Sequence, residues 1–123
     1  MALTAARVDM IVFDNSTWAD AFQFGTAGDT SWSFSGKTFH MDVKGSDDQT
    51  SALISLTTSN NRIIVDDPVQ RILHLNVTQT DLEAALVPGC YEYDLIMLDS
   101  ASPAIRTPLM YGRVKIKHGV TQS

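Results

Sequence analysis

Cysteine is nearly missing from this chain of 123 residues, in which Cys90 is the single example. One thiol excludes an intrachain disulfide, so we expect a fold that forms in a reducing cytoplasm and depends on its core. Long hydrophobic runs are also missing, and a helix needs about 20 apolar residues to cross a bilayer. The first ten residues contain no uninterrupted apolar stretch, and we predict neither a secretory signal nor a membrane span.

Positive charge is scarce as well. Lysine and arginine number 9 against 14 acidic residues, which gives a net charge of −5. This balance disfavours nucleic acid and anionic membranes as partners. The basic residues after position 100 form a strip without acidic neighbours in the sequence, so a local nucleic-acid contact is an alternative. That basic strip consists of Arg106, Arg113, Lys115 and Lys117.

The dominant pattern that is present has a period of two. In residues 38–44 the apolar side chains of Phe39, Met41 and Val43 alternate with polar ones, which is typical of a half-buried strand. Further strand candidates cover residues 8–13, 18–24, 53–57, 62–65, 71–77, 91–97 and 113–117. With 44% hydrophobic residues, this predicts one all-β domain over residues 1–123. We expect an immunoglobulin-like antiparallel β-sandwich of seven or eight strands with one short helix.

The short helix is predicted after Thr80. Thr80 and Glu83 have the spacing of a capping box, and Pro88-Gly89 would end the helix. A tyrosine follows directly, as at the corner between two strands of immunoglobulin-like sandwiches, where its hydroxyl bonds to the upstream backbone. We therefore expect Tyr91 or Tyr93 to be buried and to fix this corner.

The last two strands can be paired by their pattern of charge. Placing Leu98 opposite Leu109 in a hairpin sets Asp94 against Arg113 and Glu92 against Lys115. This register would neutralise most of the basic strip. A nucleic-acid contact and a protein contact are the alternatives for the strip.

The sequence shows no catalytic, cofactor-binding or metal-binding constellation. Nucleophile-elbow, P-loop and dinucleotide-binding motifs are missing, so we do not expect an enzyme or a cofactor. His40, His74 and His118 lie in different strand candidates without ligand spacing, and we expect them to be solvated or hydrogen-bonded. Cys90 is expected to be a small buried hydrophobe.

Aromatic residues offer one binding alternative. Trp18 and Trp32, with nearby phenylalanines, would form a platform for a sugar ring if they were exposed on a flat face. Alternating aromatics such as Trp32 and Phe34 are more typical of a core, but a carbohydrate-binding module is an alternative function.

Several short motifs occur in an order that is similar to one protein class. They are Asn15-Ser16-Thr17-Trp18, Phe22-Gln23-Phe24, the run from Trp32 to Lys44, Pro88-Gly89, Tyr91-Glu92-Tyr93-Asp94-Leu95 and Gly112-Arg113-Val114-Lys115-Ile116. Over about residues 14–121 the chain resembles small phage virion β-sandwich proteins. It is similar to the N-terminal sandwich domains of baseplate and receptor-binding-protein carriers.

This resemblance implies a non-enzymatic virion structural protein that is assembled in the host cytoplasm. It implies an adaptor or accessory subunit of the tail, baseplate or neck, with other virion proteins as partners in a homo- or hetero-oligomer. Capsid decoration is the alternative position. We expect contacts from an N-terminal arm (residues 1–7), the loops 25–30 and 45–49, and a C-terminal tail (residues 119–123). Because the sequence continues for only a few residues after the last strand candidate, we expect an accessory subunit rather than a fibre.

Overall fold

The alternating segments form nine strands and one helix within residues 5–25, 28, 31–45, 52–99 and 105–120, which the computed structural model describes. The elements are β1 (Ala6–Arg7), β2 (Met10–Phe13), β3 (Ala21–Gln23), β4 (Lys37–Lys44), β5 (Ile54–Thr57), β6 (Ile63–Asp67), β7 (Ile72–Leu75), α1 (Gln79–Ala85), β8 (Gly89–Asp99) and β9 (Ile105–Lys117).

Two sheets pack into a sandwich-like all-β fold, as predicted. The larger sheet has the strand order β1-β9-β8-β4-β5, with β2 also paired to β9, and the smaller sheet has the order β3-β7-β6. A bridge between Trp18 and Val77 continues the smaller sheet beyond β3 and β7. The helix α1 carries the chain from the smaller sheet to the larger one.

The core lies between the inward faces of the two sheets. Phe39 and Met41 of β4 face Leu73 and Leu75 of β7 across this core, and all four are buried. The helix adds Leu82, which is fully buried. Because removal of apolar surface from water drives folding, this alternation fixes which side of each strand faces solvent.

Two strands at the N-terminus differ from the predicted antiparallel pairing. β1 and β2 both run parallel to β9, with Ala6 opposite Met110 and Met10 opposite Val114. Ala6 and Arg7, which we expected in a free arm, thus pair with their own chain because β9 offers them an edge. Residues 1–4 of that arm lie outside the described part of the chain, as do residues 26–27, 29–30, 46–49 and 121–123 of the expected contact segments.

The chain between β1 and β2 passes close to Gly112. A Cβ at Gly112 would overlap the carbonyl of Val8, and the glycine has a φ of 153°. At this point the Asp9 carboxylate accepts a hydrogen bond of 2.9 Å from the amide of Arg113. The hydroxyl of Tyr93 donates to the carbonyl of Val8. The side chains of Asp9 and Tyr93 thus take the place of backbone hydrogen bonds between β1 and β2, which both pair with β9 in the same register.

The predicted register of β8 and β9 is wrong by two residues from Gly89 to Leu95 and by three from Ile96 to Asp99. Glu92 lies opposite Arg113, Asp94 lies opposite Tyr111, and the pairing shifts between Leu95 and Ile96. A two-residue slip leaves every side chain on its predicted face, so apolar alternation could not reveal it. Lys115 lies opposite Cys90 and has lost the partner that the predicted register gave it.

The helix begins two residues earlier than predicted. Thr78, not Thr80, is the N-cap, and its hydroxyl accepts a hydrogen bond of 3.3 Å from the amide of Asp81. Both threonines have an acidic residue three positions later, so local spacing alone did not distinguish them. The pairing of Val77 with Trp18 ends the extended chain just before Thr78 and places the cap there.

Tyr91 occupies the predicted corner after the helix. Its side chain is buried, and its hydroxyl donates a hydrogen bond of 2.6 Å to the carbonyl of Val87, four residues upstream. Tyr93 is buried as well, and burial raises the pKa of its hydroxyl, which therefore stays protonated as a donor to Val8. The two tyrosines fix different junctions of the larger sheet.

Arg71 is buried completely, although the sequence pattern predicts only a strand flank there. Its guanidinium donates to the carbonyl oxygens of Phe24, Trp32 and Val69 at 2.8, 3.1 and 2.9 Å. The guanidinium carbon also lies 5.0 Å from the ring centroid of Trp32. The backbone of Arg71 has a left-handed φ of 58° in the turn between β6 and β7. Its side chain holds the segment around Trp32 against the smaller sheet through these hydrogen bonds.

Candidate interaction surface

The strand β2 forms an open edge of the larger sheet. Among the residues described, β2 pairs only with β9. The amides of Val8 and Asp14 donate to the carbonyls of Tyr111 and Lys117. Alternate residues of a strand direct their backbone groups to opposite sides, so those of Ile11 point away from β9. The edge is therefore a template for another strand.

The outer face of this edge is both apolar and cationic. Ile11 and Phe13 are 60% and 48% exposed, and they lie opposite Lys115 and Lys117 of β9. No salt bridge joins either lysine to a carboxylate within the described ranges. We define these four residues as the β2 edge patch.

The opposite edge of the sheet is closed by a side chain. The amide group of Asn60 accepts from the amide of Thr57 at 3.0 Å and donates to the carbonyl of Ser55 at 3.1 Å. Arg62 donates to the same carbonyl at 3.2 Å. Asn60 thus occupies backbone groups of β5 that an added strand would need, which is one way that proteins protect an edge. Within the larger sheet, this contrast leaves the side formed by β1 and β2 as the open edge, and β2 is the longer of these two strands.

A charged groove of about 370 Å³ crosses the outer face of the larger sheet beside β1. One row across the strands runs from Arg113 through Glu92 to Lys44, so that opposite charges alternate. Such cross-strand pairs contribute roughly 0.2–1 kcal/mol each. The arrangement stabilises the sheet and leaves Arg113 next to an acidic residue, unlike Lys115.

The next row contains a like-charge pair, Asp42 opposite Asp94. Partial burial acts to raise the pKa of Asp42, but hydrogen bonds from Ser55 and His40, both 2.7 Å long, outweigh it. The pKa of Asp42 is therefore lowered from its ordinary value of 3.8, and the carboxylate stays charged. This network compensates for the unfavourable pairing with Asp94.

The three histidines are hydrogen-bonded, as predicted. Each lies near one aspartate: His40 near Asp42, His74 near Asp66, and His118 near Asp14, at 2.7, 2.8 and 3.1 Å. They lie in separate parts of the fold. No group of three or more His, Cys, Asp or Glu side chains suited to a metal ion occurs in the part of the chain that the structure describes.

Asp14 joins the end of β2 to the chain that follows β9. Its carboxylate accepts a hydrogen bond of 2.7 Å from the amide of Gly119 and also contacts His118. These contacts, led by the bond from Gly119, lower the pKa of Asp14. Gly119, which we expected at the start of a free tail, is thus bound to the body of the protein.

The two tryptophans do not form the flat platform that a sugar ring requires. Trp18 is 1% exposed and belongs to the core. Trp32 is partly buried, and Arg71 lies over its ring. An apolar cleft of about 400 Å³ lies between Trp32, Phe22 of β3 and Met110 of β9, where the two sheets diverge.

Cys90 is exposed, so the prediction of a buried thiol is wrong. Tyr91 points into the core, and the alternation of β8 then turns Cys90 outward.

No helix among the described residues is long and apolar enough to span a membrane.

Sequence reasoning missed Ile11 and Phe13 because β2 reads Met-Ile-Val-Phe, four apolar residues without alternation. The available signal was Asp9, which is two residues before Ile11. An exposed residue at position 9 indicates that positions 11 and 13 also face outward, and all three are exposed.

The sequence matches no protein-family model and no curated protein. The geometry of the β2 edge patch and the sequence motifs described above therefore carry the functional argument.

Proposed function

We propose that this protein is a non-enzymatic structural subunit of a bacteriophage virion, an adaptor or accessory subunit of the tail, baseplate or neck. The single observation that carries the proposal is the open β2 edge with its exposed apolar side chains, Ile11 and Phe13. Open strand edges invite pairing with another chain, and an assembly subunit makes use of that property. The resemblance to phage sandwich proteins supplies the biological setting.

The strand order supports an immunoglobulin-like topology as part of this proposal. Immunoglobulin sandwiches place strands B, E and D in one sheet and strands G, F and C in the other. The orders β3-β7-β6 and β9-β8-β4 correspond to these sets when β3 is taken as strand B. Such a sandwich carries its contacts on edges and loops, which suits a subunit that acts by protein contact.

The charged groove is better suited to stability than to catalysis. In one of its rows acidic and basic side chains alternate across strands, so that Glu92 lies between Lys44 and Arg113. A reaction would need groups that converge on one reacting atom. The buried position of Trp18 and the covered ring of Trp32 likewise do not favour a carbohydrate-binding module.

Mass spectrometry of purified phage particles that carry this gene tests the proposal. We expect peptides of this chain at a fixed number of copies per particle. Electron microscopy with a labelled subunit then distinguishes a position in the tail from capsid decoration, the alternative within the same class. Absence of the chain from purified particles, with abundant protein in the infected cell, would contradict a virion role.

A further inference from the structure

We propose that the β2 edge patch binds an extended segment of another virion protein as an added strand, and that this segment alternates apolar and acidic residues. The inference rests on the proposed function, because it identifies the chemistry of the partner at the same edge. Four side chains and three backbone groups carry it.

The outward backbone groups of β2 can hydrogen-bond to only a short added strand. The amide and carbonyl of Ile11 and the amide of Phe13 point away from β9, since Asp14 donates toward it. The carbonyl of Phe13 is already occupied by the amide and hydroxyl of Ser16, at 3.2 and 3.0 Å. The turn at Ser16 therefore ends the row of available backbone groups, and about three hydrogen bonds are left for the added strand.

The side chains determine which strand is preferred. An added strand places its outward residues beside Ile11 and Phe13, about 4.8 Å away, where the methylene stems of glutamates would cover both side chains. Lys115 and Lys117 lie one strand further back, and their long stems can extend across Ile11 and Phe13 while the ammonium groups stay in water. Because alternate residues of a strand face opposite sides, the apolar residues of the added strand lie beside the buried Met10 and Val12, and its carboxylates meet these ammonium groups on the outward face.

A second copy of this chain fits less well than an acidic segment. Pairing β2 with β2 would bring Ile11 and Phe13 of both copies together but would leave the lysines without acidic partners. Nucleic acid would meet the lysines but would leave the apolar side chains and the strand-pairing groups unused. Charge complementarity and the mixture of apolar and cationic groups therefore favour the acidic, extended segment.

A labelled eight-residue peptide of alternating valine and glutamate tests this inference by fluorescence anisotropy, with the valine–lysine peptide as its control. We expect the glutamate peptide to bind at least tenfold more tightly than the lysine peptide, and less tightly at higher salt. The double variant Lys115→Glu/Lys117→Glu should weaken binding of the glutamate peptide at least tenfold. Arg106→Glu, on the same strand but away from β2, is the matched control and should leave binding unchanged.

Ile11→Pro provides a second, independent variant. Proline removes the outward amide of Ile11, which the pairing with β9 does not use, so the fold should persist while peptide binding is lost. If that variant fails to fold, the lysine variants still decide the question. Equal binding of both peptides, or no binding of either, would overturn the inference.

Two other results would also overturn it. A dimer in light scattering that Ile11→Pro dissociates would assign the edge to a second copy. Stronger binding of a single-stranded oligonucleotide than of the glutamate peptide would assign the lysines to nucleic acid. The proposed virion function is tested separately. It fails if the chain is absent from purified particles, regardless of how tightly the peptide binds.

Discussion

Replacement of Arg71 by methionine tests the most unusual feature of the core. Methionine keeps an unbranched apolar stem but removes the guanidinium, which donates to the carbonyls of Phe24, Trp32 and Val69. Each buried acceptor left without a partner costs about 1–3 kcal/mol. Relief from the desolvation of the guanidinium offsets part of this sum. We therefore expect a loss of about 3 kcal/mol in the free energy of unfolding.

Urea-induced unfolding followed by far-UV circular dichroism measures this loss. Arg71→Lys keeps the charge but not the planar fork, so it should lie between the parent and Arg71→Met. Arg106→Met is the matched control, because Arg106 is exposed, and it should change the free energy by less than about 0.5 kcal/mol. If Arg71→Met stays within about 1 kcal/mol of the parent, the guanidinium does not fasten the loop around Trp32 and the reasoning fails.

Three further predictions concern single contacts. Tyr91→Phe removes the donor to the carbonyl of Val87 and should cost about 1 kcal/mol in urea unfolding; an unchanged midpoint would contradict the corner. The pKa of Asp42 is lowered from 3.8, so the stability it contributes is complete above that value and is lost as the pH falls through the lowered pKa. Asp42→Asn should flatten this acid loss in urea midpoints measured against pH, and a profile equal to the parent's would refute the network. Gly112→Ala should destabilise by about 2 kcal/mol or more, because its Cβ would overlap the carbonyl of Val8, and an unchanged melting temperature would show that Val8 can move away.

The strands were largely predictable because their apolar faces alternate over several residues. The segment 38–44 of the sequence corresponds to β4, and the inward residues Phe39, Met41 and Val43 are all buried as predicted. Because several apolar residues of such a segment must be buried together, the strand conformation and the inward face are both determined by the sequence pattern. The helix was placed correctly to within two residues for the same reason, through Leu82.

Features that depend on distant partners were not predictable. From Gly89 to Leu95 the register of β8 against β9 differs from the predicted one by two residues, which conserves both faces and is therefore invisible to alternation. The burial of Arg71 depends on carbonyls 39 and 47 residues away in sequence, at Trp32 and Phe24. The parallel pairing of β2 with β9 joins the two ends of the chain, and no local pattern contains that information.

Incorporation of a β2 variant into phage particles tests the central claim most directly. Phe13 is exposed and lies in the β2 edge patch, so Phe13→Asp should fold with unchanged far-UV circular dichroism. We predict that quantitative mass spectrometry finds the parent chain in purified particles and Phe13→Asp reduced at least tenfold, with equal amounts of both in the cell. Equal incorporation of the two chains would contradict assembly through the β2 edge.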